Sequence, residues 1–213
     1  MSGILDLLNS DIGKTIISGV SSETNQPQNK TNEVLTMALP VLMQAMRRNA
    51  STPQGADSLL GALNNNKHDG SILDNLGGLF SGGVNREVVD DGSKILGHVL
   101  GNRQQNVTNA LSSKSGVDAG SVAQILKVAA PLLMGVLGKQ TRQNSVSSQS
   151  GLEGMLGGLL QGNSPKQEQS FLESILDADG DGSVIDDVAG MVLGGNKKKS
   201  GLGGLLGGLF GKK

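Results

Sequence analysis

The chemistry this chain can offer is concentrated in one acidic stretch. Asp177-Ala178-Asp179-Gly180-Asp181-Gly182-Ser183 sets three carboxylates at alternate positions, and Asp186 and Asp187 follow. Acids at the first, third and fifth positions of a turn converge on one hard cation, and glycine at the sixth permits the sharp bend that wraps the chain around it. A full EF-hand loop closes with a bidentate acid at its twelfth position. Here that position is Val188, and the closing acids stand at the tenth and eleventh. The pattern looks like a shortened EF-hand-like loop over 177–187. Its expected ligands are Asp177, Asp179, Asp181, the Ser183 carbonyl and Asp186, with Asp187 as a weaker candidate. All-oxygen ligands favour Ca2+, whereas Mg2+ demands tighter octahedral geometry. The competing reading is a solvated acidic turn that caps the next helix, and Asp-Gly pairs do make turns. Five aspartates this close together repel one another without a counter-ion, which favours metal.

Such a loop needs helices on both sides. Ser164-Pro165 pairs a capping hydroxyl with proline at the first helical position, where its missing N–H costs nothing. Phe171, Leu172, Ile175 and Leu176 then form an apolar face running into the loop, and Val188, Met191 and Val192 continue beyond it. The rest of the chain is also helical in pattern, and strand signals are nearly absent. Ile12, Ile16, Ile17 and Val20 mark a short face after Asp11, a plausible N-cap. Val34, Leu35, Ala38, Leu42, Ala45 and Met46 mark a longer one that contains Pro40. Thr52-Pro53 opens another helix, and Gly116 follows Val107, Ala110 and Leu111 as a left-handed C-cap. The expectation is an all-α protein of many short helices.

Two segments repeat. Met37-Ala38-Leu39-Pro40-Val41-Leu42-Met43 aligns with Val128-Ala129-Ala130-Pro131-Leu132-Leu133-Met134, and a proline inside a helix should kink it. Each copy leads through a polar stretch to a small apolar helix, Ser58–Leu63 in one and Gly154–Leu159 in the other. Asp69-Gly70-Ser71-Ile72-Leu73-Asp74-Asn75 likewise aligns with Asp181-Gly182-Ser183-Val184-Ile185-Asp186-Asp187. The chain therefore reads as an internal duplication, with a first helical repeat at 1–84 and a second at 85–195. A flexible Gly/Leu/Lys tail follows at 196–213. The first copy carries Asn65, Lys67, Asp69 and Asp74 at the ligand positions. Lys67 puts a cation where the second carboxylate should sit, so this copy is expected to keep the turn without binding metal. His68 beside it is expected to be solvent-exposed.

Composition narrows the remaining choices. The 213 residues include no Cys and only two His, which excludes disulfides and thiolate metal sites and leaves few members for a histidine-based triad. A formal net charge of −1 argues against nucleic acid as a partner. Glu87, Asp90 and Asp91 read as a solvated helix face, and His98 as packed or at a helix edge. Gly195-Asn196-Lys197-Lys198-Lys199-Ser200 lacks the second glycine of a phosphate loop. Nothing here amounts to an enzyme. The N-terminus has no basic region followed by a long apolar one, and no uninterrupted apolar run approaches the ~20 residues that cross a bilayer, so the cytoplasm is the expected compartment. In the tail, Leu202, Leu205, Leu206, Leu209 and Phe210 form a helical stripe bracketed by lysines. Over 201–213 it could lie on a membrane surface, dock on a partner or assemble with itself, although its glycines disfavour an isolated helix.

Leu111-Ser112-Ser113-Lys114-Ser115-Gly116-Val117-Asp118, followed by Ala123, Ile125, Leu126 and Pro131-Leu132-Leu133, resembles the bacterial YidB-like family, domain of unknown function 937. Those proteins share a leucine, a Gly-Val-Asp turn and a helix broken at a proline. The resemblance covers most of residues 1–195 in a duplicated arrangement, including the C-terminal acidic segment. It implies an all-helical bacterial protein without an assigned activity. The expected function is non-enzymatic binding of one Ca2+ as a structural or regulatory site. The alternative is a peripheral membrane or self-assembling scaffold acting through the Gly/Leu segments.

Overall fold

The computed structural model describes residues 3–160 and residue 175. Loop 177–187, the helix start at Ser164-Pro165 and the tail lie outside the described residues, as do the boundaries expected at 195 and 196. The described residues contain helices and no strand, so the all-α expectation is met.

Helix α1 (Ile4–Asn9) turns at Ser10 into α2 (Asp11–Thr24). The N-cap of α2 is Ser10, not Asp11: Ser10 is extended and its Oγ accepts the Gly13 N–H at 3.2 Å. Asp11 is the first helical residue, where its negative charge complements the helix dipole. Next come α3 (Gln28–Ala50) and α4 (Pro53–Leu63), the latter capped by Thr52 with proline at its start, as the sequence indicated. A 3-10 turn at Asn66–His68 leads to two short helices, α5 (Ser71–Asp74) and α6 (Leu76–Phe80). They are followed by α7 (Arg86–Leu100), α8 (Gln104–Ser115), α9 (Ala119–Gln143) and α10 (Gln149–Leu160).

The two longest helices form the centre. Helices α3 and α9 pack on each other, and each runs unbroken through a proline twelve residues after its first residue. Corresponding positions along them are buried alike: Val34 and Ile125, Leu35 and Leu126, Ala38 and Ala129, Met46 and Leu137. Around this pair α2 packs on α9 while α8 packs on α3, and α4 and α10 cover the flanks. The junctions that lead into the two long helices are also alike. Asn25 ends α2 in the left-handed region at φ 51°, and Gly116 ends α8 there at φ 69°. In each junction a serine hydroxyl reaches five residues ahead, from Ser21 to the Gln26 carbonyl and from Ser112 to the Val117 carbonyl. Side chains also tie one junction to the other, Lys30 Nζ donating to the Ser115 carbonyl and Gln26 Nε2 to Ser121 Oγ.

Helix α9 is long and apolar enough to span a bilayer by length and composition, yet two thirds of its most apolar window is buried inside this fold. Lys127, Lys139 and Arg142 interrupt it in sequence. Its hydrophobicity belongs to a core helix wrapped on most sides by protein.

Candidate functional site

The segment 65–75, whose sequence aligns with the acidic loop, is fully described, and α9 holds it in place. The 3-10 turn and α5 lie against α9 at two glycines one turn apart. A Cβ on Gly138 would sit 1.8 Å from the His68 carbonyl oxygen, and one on Gly135 would sit 2.7 Å from Ile72 Cγ2. Only glycine lets the two backbones approach this closely. Beside them Arg142 Nη2 donates to the Asn64 and Asn65 carbonyls, and Lys139 Nζ lies 3.6 Å from Asp74 Oδ1. The side chains at the ligand positions are used locally. Asn65 Oδ1 accepts the Lys67 N–H, Asp69 Oδ1 accepts the Ser71 N–H at 2.8 Å, and Gly70 makes the bend at φ 98°. Asn65, Asp69 and Asp74 thus serve a cap, a turn and an ion pair.

His68 overturns the expectation of a solvent-exposed histidine, for it is 7% exposed. Its Nδ1 lies 2.9 Å from the Ala62 carbonyl and its Nε2 lies 3.1 Å from Asp91 Oδ2. Both ring nitrogens face oxygen atoms, so the ring bridges the end of α4 to α7. Asp91 accordingly departs from the solvated face foreseen for it, because α7 carries it to a histidine far away in sequence. Glu87 and Asp90 are exposed, as expected of that face, and His98 is exposed at the helix edge. His68 thus joins three elements, the 3-10 turn that carries it, α4 and α7.

A trough of about 540 Å3 opens beside this pair, with α4 and α7 as its walls. Met46 of α3 and Met134 of α9, with Leu59 and Ile95 from the walls, make its floor. His68 closes one end by joining Ala62 to Asp91. Asn49 closes the other, its Nδ2 donating to the His98 and Val99 carbonyls while its own carbonyl crowds Gly55. These ties show that α4 and α7 run in opposite directions along the trough. No signal in the sequence marks it, since its residues come from four separate helices and a turn.

A helix cap and a turn each hold a carboxylate whose charged form folding favours. Asp118 Oδ1 accepts the Ser121 N–H at 2.9 Å as the N-cap of α9. Hydrogen bonds from Ser121, side chain and backbone, hold the Asp118 carboxyl below its ordinary 3.8, and hydrogen bonds from Ser71 do the same for Asp69. A lowered folded pKa means the charged form is favoured by folding. The stabilisation is therefore complete above the unfolded carboxylate pKa of about 4 and is lost as pH falls through the lower folded value. Asp118→Asn keeps a capping side chain but cannot titrate. Urea melts between about pH 6 and about pH 3 should show a shallower acid loss in that variant than in the parent. Parallel slopes would remove Asp118 from the acid response.

The six proposed ligands, Asp177, Asp179, Asp181, Ser183, Asp186 and Asp187, lie outside the described residues. Two residues before the first of them, Ile175 is helical and buried within the hydrophobic core. Among the described residues no three His, Asp or Glu side chains gather into a metal-holding group.

These features define an all-helical protein centred on two long proline-containing helices. The chain belongs to a family of bacterial proteins of unknown function, DUF937, whose model matches residues 6–140 and 143–213. No curated protein and no solved structure matches it.

Proposed function

We propose that this chain is a non-enzymatic, cytoplasmic member of its family that binds one Ca2+ in loop 177–187. Metal there would neutralise the aspartates and fix the helix that enters the loop, as a structural or regulatory site. The observation that carries the reading is the run of alternating aspartates with glycine at the bend. It is supported by Ile175, which anchors the entering residues on the core two positions upstream. Internal duplication is part of the same proposal. It draws support from the matched prolines, the paired left-handed junctions and the reciprocal packing of α2 on α9 and α8 on α3. On this reading the two copies have diverged in role. The first uses its turn to dock on α9, and the second keeps the carboxylates for a cation.

Calorimetric titration of Ca2+ and Mg2+ into metal-stripped protein tests the site. One Ca2+ is expected to bind, with Asp179→Ala abolishing the heat and Asp69→Ala leaving it intact. The absence of heat, together with an unchanged melting temperature in Ca2+, would reduce the loop to a helix cap. A peripheral membrane or self-assembling role through the tail would then take precedence. Flotation with anionic liposomes, comparing the full chain with a 1–200 truncation, would measure the tail's part in it.

A further inference from the structure

We infer that the trough between α4 and α7 is a binding site for a small amphiphile with an apolar chain and a carboxylate head, of the fatty-acid type. It uses none of the residues assigned to Ca2+ and stands whether or not that reading holds.

The volume of about 540 Å3 falls within the range of roughly 300–1,000 Å3 typical of small-molecule sites. The trough's length follows from its walls. Gly55 and Ala62 mark its ends on α4, seven residues apart, which is about 10 Å of helix. That suits one extended chain of medium length. The floor is apolar, and its two methionines are unbranched and polarisable, able to shape themselves around a flexible chain.

The polar groups are arranged on one side. Asp91, Lys94 and His98 follow one another along α7 at helical spacing, beside the apolar row of Ile95 and Val99. Asp91 Oδ2 lies 3.1 Å from His68 Nε2, which ties that carboxylate to the 3-10 turn at the closed end, away from the head-group position at Lys94. Lys94 is exposed and makes no ion pair among the described residues. His98 is exposed one turn further on, and Ser58 faces them from the α4 wall. An ammonium, an imidazole and a hydroxyl at the rim of an apolar trough complement an anion attached to a hydrocarbon chain. A cationic head would meet Lys94 and be repelled. A purely apolar ligand would gain nothing from these three exposed groups, which keep their water.

The full chain, its methionine methyls carrying 13C, would be titrated with decanoate and, in parallel, with decan-1-ol. Met46→Leu and Met134→Leu variants identify the two floor signals. Decanoate should bind with 1:1 saturation and shift the Met46 and Met134 methyls together. Lys94→Gln should weaken it about tenfold, the loss of one charge-assisted contact, and leave the melting temperature unchanged. Decan-1-ol should bind more weakly and ignore that substitution. Ala62→Leu, which narrows the trough from the α4 wall, should abolish both shifts while the fold still melts cooperatively. The inference is overturned if decanoate leaves both floor methyls unmoved, or if Lys94→Gln binds it as tightly as the parent does.

Discussion

Gly92→Ala is expected to lower stability by about 3 kcal/mol, beyond the usual cost of an added methyl in a core. Gly92 is buried in α7 where that helix crosses α9, and a Cβ there would lie 1.8 Å from the Lys127 carbonyl oxygen. The clash is with backbone and not with a side chain that could swing aside, so one helix has to move. Alanine's better helix propensity offsets at most about 1 kcal/mol of this. For a chain of this size the net loss corresponds to a fall of about 10 °C in melting temperature. Gly97 supplies a control on the same helix, because a Cβ there meets nothing within 4 Å. Gly97→Ala should therefore raise stability by up to about 1 kcal/mol. If both substitutions moved the melting temperature in the same direction, the close crossing of α7 and α9 would be wrong.

The second large effect falls on His68. Replacing it with leucine removes the ring that bridges Ala62 and Asp91 and leaves the Asp91 carboxylate without its side-chain partner, while the Ala62 carbonyl keeps the Asn65 N–H at 3.2 Å. Hydrogen bonds that involve a charged group contribute about 1.5–3 kcal/mol each, and Asp91 keeps partial access to water. A loss of about 2 kcal/mol is therefore expected for His68→Leu. Asp91→Ala should cost a similar amount, and the double variant little more than either alone. The shortfall from additivity measures the coupling between the two side chains. Additive losses would mean that the pair does not form in solution, and the trough would lose the closure of that end.

Local signals in the sequence translated well into this fold. Thr52-Pro53 begins α4 because a hydroxyl cap and a ring that needs no N–H are both determined by near neighbours. Gly116 ends α8 in the left-handed region for the same local reason. Pro40 and Pro131 stay inside their helices because the apolar faces around them bury against each other, and packing outweighs one missing hydrogen bond. One departure was local, and two came where distant residues decide. Ser10 and not Asp11 caps α2, a shift of one position between two good capping residues. His68 sits in a polar, turn-forming segment and so reads as exposed; what buries it is Gly138, seventy residues away, which lets its backbone lie on α9. Asp91 looks like surface for a similar reason, since its partner approaches from the 3-10 turn. The aspartate loop is the reverse case. The chemistry proposed for it rests on spacing alone, while its geometry lies beyond the described residues.

The apolar face of α9 also bears on how the chain can be made. Exposed outside its surroundings, a 25-residue helix of this composition would partition into a bilayer or cluster with other copies, as uncovered hydrophobic surface does. The ribosome builds the chain from its N-terminus, so α2, α3, α4, α7 and α8 all emerge before α9. Each of these helices packs on it in the finished fold. The order of synthesis therefore prepares a sleeve for the most membrane-like segment before that segment appears.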